Sequence, residues 1–271
     1  MCGPAADPAP AAAIRHTGGV TDPAADAGTG ETLDPRDVDT VLDVLRRGTL
    51  EVEGRLLDAS NATLYCSLEC DGVTAAVVYK PVRGERPLWD FPDGTLAGRE
   101  VAAFEVSEVT GWSVVPPTVL RDGPFGEGMC QIWVDVDESI DLAVLARSDI
   151  PPLRRMALLD AVINNADRKG GHLLPLPDGH VFGVDHGVCF HVEDKLRTLL
   201  WGWRGQPLED DEIDVLSVLR AELEGPLGDR LLSLIQPYEV TALAERVDRL
   251  LTRRVFPSPS GEWPALPWPP F

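Results

Sequence analysis

No run of about 18 uninterrupted apolar residues, the length that a membrane-spanning helix needs, occurs in this chain. Cysteines are also few: there are five, irregularly spaced, and no apolar leader is visible at the N-terminus. An odd, unpatterned set of cysteines without a leader is typical of reduced thiols, not of a disulfide framework. The sequence therefore predicts a cytoplasmic protein without a transmembrane segment.

Positive charge is scarce, because 24 Lys and Arg residues stand against 44 Asp and Glu residues, a formal net charge of −20. Such a field repels nucleic acid and anionic lipid at long range. A basic amphipathic helix of the kind that binds membrane surfaces is missing as well. We therefore expect no nucleic-acid partner and no stable membrane association, although a local basic pocket is compatible with this charge.

Large apolar residues are nearly absent from residues 1–36, which are mainly Ala, Pro, Gly and Asp and are predicted to be a disordered tail. Residues 37–134 contain strand-like runs and one helical pattern over 95–110, which indicates a strand-rich lobe. Residues 135–255 are mostly helical in pattern. Residues 256–271 are rich in Pro and Trp, and either pack as irregular chain or stay loose. The predicted fold class is α+β, with two lobes.

Cap and turn signals delimit the elements of the first lobe. Asp34 before Pro35 fits the capped start of a helix, with Pro at the first helical position. Beyond Gly48, three β-rich runs separated by "DASN" and "DG" predict an antiparallel meander. A further hairpin is expected over 116–136, where a glycine-rich turn reverses the chain.

Two aspartates lie at the open end of a predicted hairpin, "LLPLPDGHVF". Asp167 is in a polar, glycine-containing loop directly after an apolar helix, a common place for a reactive carboxylate. Asp185 ends the apolar strand "VFGV", so its carboxylate should be partly buried and should need a cationic or metallic partner. Structural roles are the alternatives, with Asp167 as a solvated loop residue and Asp185 as a turn cap.

Lys80 ends "AAVVYK", the most apolar strand of the first lobe, and Glu100 lies early in the following helix. Taken separately, Lys80 could be an ordinary surface lysine and Glu100 an ordinary solvated helix acid. Together with the two aspartates they form the set that phosphoryl transfer from a nucleotide needs. A lysine holds the phosphates, a glutamate holds the lysine, one aspartate orients an acceptor hydroxyl and another holds magnesium.

The motif "DRKGGH" followed by "GVDHG" resembles the catalytic and metal-binding loops of phosphatidylinositol 3-/4-kinases. The stretch "VVYKPVRGERPLWDFPDGTLAGREVAAF" is further similar to actinobacterial proteins described as phosphatidylinositol-kinase-like. The resemblance covers roughly residues 38–250. It implies a two-lobed protein-kinase-like fold with ATP between the lobes, and transfer of the γ-phosphoryl group to a hydroxyl with Mg²⁺ as cofactor.

The resemblance assigns a role to each candidate by position. Lys80 would contact the α- and β-phosphates, with Glu100 as its ion-pair partner. Asp167 would be the catalytic aspartate, followed by Arg168 in the family's Asp-Arg pair. Asp185 would be the main magnesium ligand. The hinge beside the adenine would be formed by Gln131, Ile132, Trp133 and Val134.

Two features depart from the family's pattern. His172 stands where the family has Asn as second metal ligand, and because imidazole suits Mn²⁺ better than Mg²⁺, manganese is a possible cofactor. The chain also has no glycine-rich phosphate loop. The turn "DASNAT" would have to serve with its backbone N–H groups and with the side chains of Ser60, Asn61 and Thr63.

Two other functions are compatible with the sequence. Four of the five histidines lie between residues 172 and 191, and with Asp185 they could form the metal site of a hydrolase. Strand alternation argues against such a site, because it splits the ligands over two faces. A pseudokinase that binds nucleotide without turnover is the second alternative, because His172 replaces the expected Asn. The acceptor is not specified by these residues and could be a polyol or inositol-type compound, another small metabolite or a protein side chain.

Overall fold

The computed structural model describes residues 33–56 and 61–271, so most of the predicted N-terminal tail lies outside the described residues. The first lobe contains an antiparallel sheet in the order β1-β2-β3-β5-β4. Its strands are β1 Thr49–Arg55, β2 Leu64–Cys70, β3 Val73–Pro81, β4 Thr118–Gly123 and β5 Gly126–Ile132. Two helices accompany the sheet, α1 Val38–Arg47 and α2 Leu96–Thr110.

Helix α1 begins at Val38 and not at Pro35, so the predicted helix start is wrong. The N–H of Asp37 donates to the carbonyl of Asp34 at 3.0 Å, which closes a turn with Pro35 at its second position. Asp37 is the residue that caps the helix, because its carboxylate accepts the N–H of Thr40. The Asp-Pro pair therefore marks a turn that leads into the helix.

The two faces of β3 have different neighbours. Val77 and Tyr79 are fully buried in the core that the sheet forms with α1. Lys80 pairs in register with Met129 of β5, and Met129 packs against α2. Because paired residues in an antiparallel sheet lie on the same face, Lys80 is on the α2 side. Strand alternation thus turns the lysine towards the helix that carries Glu100.

The second lobe is mostly helical and consists of α3 Leu142–Leu145, α4 Pro151–Ile163, α5 Asp210–Glu222, α6 Pro226–Leu231 and α7 Pro237–Arg253. Its largest core packs α4, α5 and α7 around fully buried leucines such as Leu158 and Leu216. A short hairpin, β6 Leu173–Pro175 and β7 Val181–Gly183, precedes α5. None of the helices in the described ranges combines the length and apolar composition that a membrane span needs.

Helix α2 is fixed to the second lobe by two adjacent residues. Gly98 approaches the backbone of Leu234 so closely that an added Cβ would lie 2.5 Å from its carbonyl oxygen. The fully buried Arg99 donates to the Glu239 carboxylate on α7 and to the Cys189 carbonyl, both at 2.7 Å. Helix α2 lies between β3 and β4 in the sequence, but its contacts anchor it in the helical lobe.

Candidate active site

Lys80 lies between two carboxylates that come from different parts of the fold. Its ammonium nitrogen is 2.5 Å from Glu100 Oε1 on α2 and 2.9 Å from Asp185 Oδ1, which follows β7. Burial alone would lower the pKa of Lys80, but the two carboxylates, Asp185 above all, raise it. The side chain is therefore charged, and since an ammonium has three N–H donors, one is left for a phosphate oxygen.

Glu100 holds both Lys80 and the backbone beside Asp185. The residue is 2% exposed, and its second carboxylate oxygen accepts the N–H of His186 at 2.8 Å. Burial raises the pKa of Glu100, while the neighbouring ammonium lowers it. A buried glutamate with two such donors has a fixed orientation, so it fixes the position of the lysine in turn.

Asp185 has a left-handed backbone conformation, with φ of 63°, which aspartate tolerates better than most residues. Its side chain is 46% exposed, and its second oxygen lies 3.3 Å from His172 Nε2. Lys80 is the main cause that holds the pKa of Asp185 well below its usual range, against the effect of burial. The carboxylate is thus ionised and accessible, which fits a divalent cation.

His172 is held by contacts on both sides of its ring. Its Nδ1 faces the backbone N–H of Lys169 at 3.4 Å, so Nδ1 accepts and Nε2 carries the proton that points to Asp185. Burial lowers the pKa of His172 to about 4, and the ring is therefore neutral near pH 7. A metal bound at Nε2 would require the other tautomer and the loss of the Lys169 contact. Asp185 therefore suits a cation better than His172 does.

Asp167 is positioned by its own loop. Its backbone N–H donates to Asn165 Oδ1 at 2.9 Å, and its carboxylate is 3.0 Å from the Lys169 ammonium. Burial is the largest influence and raises the pKa of Asp167, whereas Lys169 lowers it. The negative charge of Asp185 acts in the same direction as burial and also raises the pKa of Asp167. The β6–β7 hairpin pairs Leu173 with Gly183, so the chain segments that carry the two aspartates leave it at the same end.

The structure does not bring Arg168 into this group. Its side chain is fully buried, and it donates to both oxygens of Asp160 and, at 3.0 Å, to the carbonyl of Val184. It therefore supports the loops that carry Asp167 and Asp185 without being able to touch a substrate. Sequence reasoning missed Asp160, although a lone carboxylate within the apolar helix run "MALLDAVI" is a signal of a buried partner.

The residues expected to replace a phosphate loop are engaged elsewhere or lie outside the described residues. Ser60 belongs to the segment 57–60, which the structure does not describe. The Asn61 side-chain oxygen accepts the N–H of Arg86 at 2.9 Å. Thr63 is 5% exposed. Among the described residues, no hydrogen bond joins Asn61 or Thr63 to Lys80, Glu100 or Asp185.

The predicted hinge residues are the last two residues of β5 and the two that follow it, and their side chains differ in direction. Gln131 is buried, and its amide donates to Thr118 Oγ1 at 2.7 Å. Ile132 belongs to the core on the α1 side of the sheet, so its side chain faces away from Lys80. Trp133 is half-buried and Val134 is buried. A nucleotide could therefore be contacted here mainly through the backbone.

The histidines within the described residues do not form a metal centre. His180 Nε2 hydrogen-bonds the backbone oxygen of Ser113 at 2.9 Å, and His186 Nε2 faces the guanidinium of Arg168 at 2.5 Å. Within residues 33–56 and 61–271, no group of three or more His, Cys, Asp and Glu side chains is placed to hold a metal ion. The alternative of a histidine-based hydrolase site is therefore not supported.

An antiparallel sheet, a buried helix, a helical second lobe and a lysine held between Glu and Asp define a protein-kinase-like architecture. The crystal structure of the Golgi casein kinase with Mn/ADP bound superimposes with a TM-score of 0.55. The match covers 82% of this chain and 76% of that one, at 14% sequence identity. The predicted α+β fold with two protein-kinase-like lobes is confirmed.

The chain belongs to the same family as Protein Rv2133c of Mycobacterium tuberculosis (strain ATCC 25618 / H37Rv). The two are 46% identical over 263 residues, which cover 84% of this chain and 94% of that protein. Phosphatidylinositol 4-kinase gamma 4 of Oryza sativa subsp. japonica is 26% identical over 176 residues, 52% of this chain but 31% of that kinase. No protein-family model matches. Membership of the phosphatidylinositol 3-/4-kinase family is therefore not confirmed.

Proposed function

We propose that the protein is an ATP-dependent phosphotransferase that moves the γ-phosphoryl group to a hydroxyl. The observation that carries the proposal is the Lys80 ammonium, held 2.5 Å from Glu100 and 2.9 Å from Asp185. In kinases, a strand lysine paired with a helix glutamate must be in place for phosphoryl transfer, together with a metal-binding aspartate. The fold supports the same use of these three residues here.

Each residue of the site has a separate task in this reaction. Lys80 would bind phosphate oxygens. Asp185, whose second oxygen faces His172, would be the ligand that holds Mg²⁺ or Mn²⁺. The bound ion would neutralise charge on the β- and γ-phosphates. As the acceptor oxygen forms its bond to phosphorus and the bond from phosphorus to the ADP oxygen breaks, the hydroxyl proton passes to Asp167. The products are ADP and the phosphorylated acceptor.

Asp167 is suited to accept a proton because burial raises its pKa. A carboxylate with a raised pKa is a stronger base, and a general base works best when its pKa approaches the working pH. Lys169 opposes this effect from 3.0 Å. The Lys169 ammonium therefore extends the pH range in which Asp167 is ionised to lower pH.

Replacing Lys169 with Met is expected to move the acid limb of the kcat/KM profile to higher pH. Asp167 must be ionised to accept the proton, so activity falls as the pH drops through its pKa. Lys169 lowers that pKa, and its removal raises it. Lys169→Arg keeps the positive charge and should leave the acid limb near its original position. A limb that moves equally in both variants, or to lower pH in Lys169→Met, would contradict this role of Asp167.

Nucleotide binding is tested by thermal unfolding with ATP and either Mg²⁺ or Mn²⁺. A ligand at about 100 times its Kd stabilises the folded state by about 2.7 kcal/mol. For a chain of this size that corresponds to a rise in Tm of about 5–10 °C. ATP turnover is measured on the same samples as release of ADP. No rise in Tm with either metal would overturn the proposal, whereas a rise without turnover would indicate a nucleotide-binding module that lacks catalysis.

A further inference from the structure

Residues 256–271, the Pro/Trp segment, contact the loop that carries Asp167. The N–H of Gly170 donates to the carbonyl of Pro270 at 2.9 Å. The ring of Phe271 lies directly against Gly170, since an added Cβ there would be 2.0 Å from the ring. Gly170 is the third residue after Asp167, so the segment reaches the immediate surroundings of the candidate base.

Three stretches of chain lie side by side at this point. Arg168 pairs in parallel with Thr198, because the N–H of Arg168 donates to the carbonyl of Arg197 and the N–H of Leu199 donates to that of Arg168. On the other side, the N–H of Thr198 donates to the carbonyl of Ala265 at 3.2 Å. The backbone donors that Gly170 and Thr198 could offer to an extended ligand are thus already used by the Pro/Trp segment.

The Pro/Trp segment is also fastened by an aromatic contact with a buried cation. The ammonium of Lys195 lies 4.3 Å from the ring centroid of Trp263 and 5.0 Å from that of Trp89. Lys195 is 3% exposed and pairs with Asp90 at 2.7 Å. Cation–π contacts are strongest where the cation is desolvated, as here. The segment is therefore a fixed part of the site's surroundings.

We propose that the acceptor hydroxyl belongs to a small molecule and not to a protein side chain, an inference that rests on the proposed phosphotransferase function. One way in which an enzyme holds an extended protein substrate is to pair its own free backbone donors and acceptors with the backbone of that substrate. Along the Asp167 loop, the Pro/Trp segment occupies these positions at Gly170 and Thr198. The Asp167 side chain itself keeps 23% of its surface exposed, so it remains accessible to a hydroxyl compound.

The test uses the full chain with radiolabelled ATP, Mg²⁺ or Mn²⁺, and casein as a generic protein acceptor. Phosphate release to water is measured in parallel. Phe271→Ala removes the ring, and Gly170→Ala displaces it through the added Cβ. Both variants are expected to gain casein labelling and to release phosphate to water severalfold faster than the original chain, with an unchanged KM for ATP. Leu266→Ala, in the same segment but 52% exposed, is the control and should change neither rate.

Three results would contradict the inference or the proposed function. Casein labelling by the original chain at a rate equal to its ATP hydrolysis would overturn the inference. Phe271→Ala and Gly170→Ala variants that leave both casein labelling and phosphate release unchanged would do the same, while their Tm rise with ATP would leave the phosphotransferase proposal standing. If the original chain shows no Tm rise with ATP and either metal, the proposed function itself fails and the inference falls with it.

Discussion

Replacing Asp185 with Asn is expected to lower ATP turnover by about 100-fold or more, the loss that follows removal of a preorganised electrostatic group. The carboxylate is ionised because Lys80 holds its pKa well below the usual range, and it is the accessible oxygen donor beside the lysine. An amide keeps the shape of the side chain but not its charge. Lys80 retains Glu100 as a partner, so the fold should be preserved.

Calorimetric titration with ATP–Mg²⁺ and ATP–Mn²⁺ measures the binding part of this effect. We expect the metal-dependent part of the affinity to be lost in Asp185→Asn. Asp178→Asn is the matched control, because Asp178 lies in the turn of the same hairpin and is exposed. An Asp185→Asn chain that binds both complexes with unchanged affinity would refute the assignment of Asp185 as the metal ligand.

Replacing Asp160 with Asn is expected to lower the free energy of unfolding by about 3–5 kcal/mol, the cost of leaving one charge of a buried pair without its partner. Asp160 and Arg168 are both fully buried and lie 2.9 Å apart. The variant keeps the volume of the side chain but leaves the guanidinium charge uncompensated. Because Arg168 also holds the carbonyl of Val184 next to Asp185, turnover should fall together with stability.

Urea denaturation of Asp160→Asn and of Asp248→Asn compares the loss of a carboxylate charge from a buried ion pair with the same loss from an exposed one. Asp248 pairs with Arg220 at 2.8 Å, but its side chain is 53% exposed. An exposed pair contributes about 0–1 kcal/mol, so this variant should be nearly neutral. Equal losses in the two variants would show that the Asp160 pair does not depend on its burial.

The architecture could be predicted because its local signals agree with one another. The apolar run "AAVVYK" placed Lys80 at the end of a strand, and the helical pattern over 95–110 placed Glu100 on the next element. The order of Lys80, Glu100, Asp167 and Asp185 along the chain then predicted a single site for all four residues. The structure brings Glu100 and Asp185 each within hydrogen-bond distance of Lys80.

Features that depend on contacts between residues far apart in the sequence could not be predicted from local patterns. The resemblance assigned Arg168 to the catalytic pair with Asp167, but it could not indicate that the partner of Arg168 is Asp160 in the preceding helix. Asn61 has a polar side chain in a turn, but it is engaged by the backbone of Arg86, 25 residues later. The partner of Gly170 is the carbonyl of Pro270, a contact that no local pattern signals.

The anchoring of α2 limits how the two lobes can move. Arg99 and Gly98 tie this helix to α7 and to Leu234, so a movement of the helical lobe is expected to carry α2 with it. Opening of the cleft would then lift the sheet away from α2 and separate Lys80 from Glu100. The lysine–glutamate distance would therefore report whether the cleft is open. A regulator that acts by rotating α2 would first have to break the buried Arg99–Glu239 ion pair.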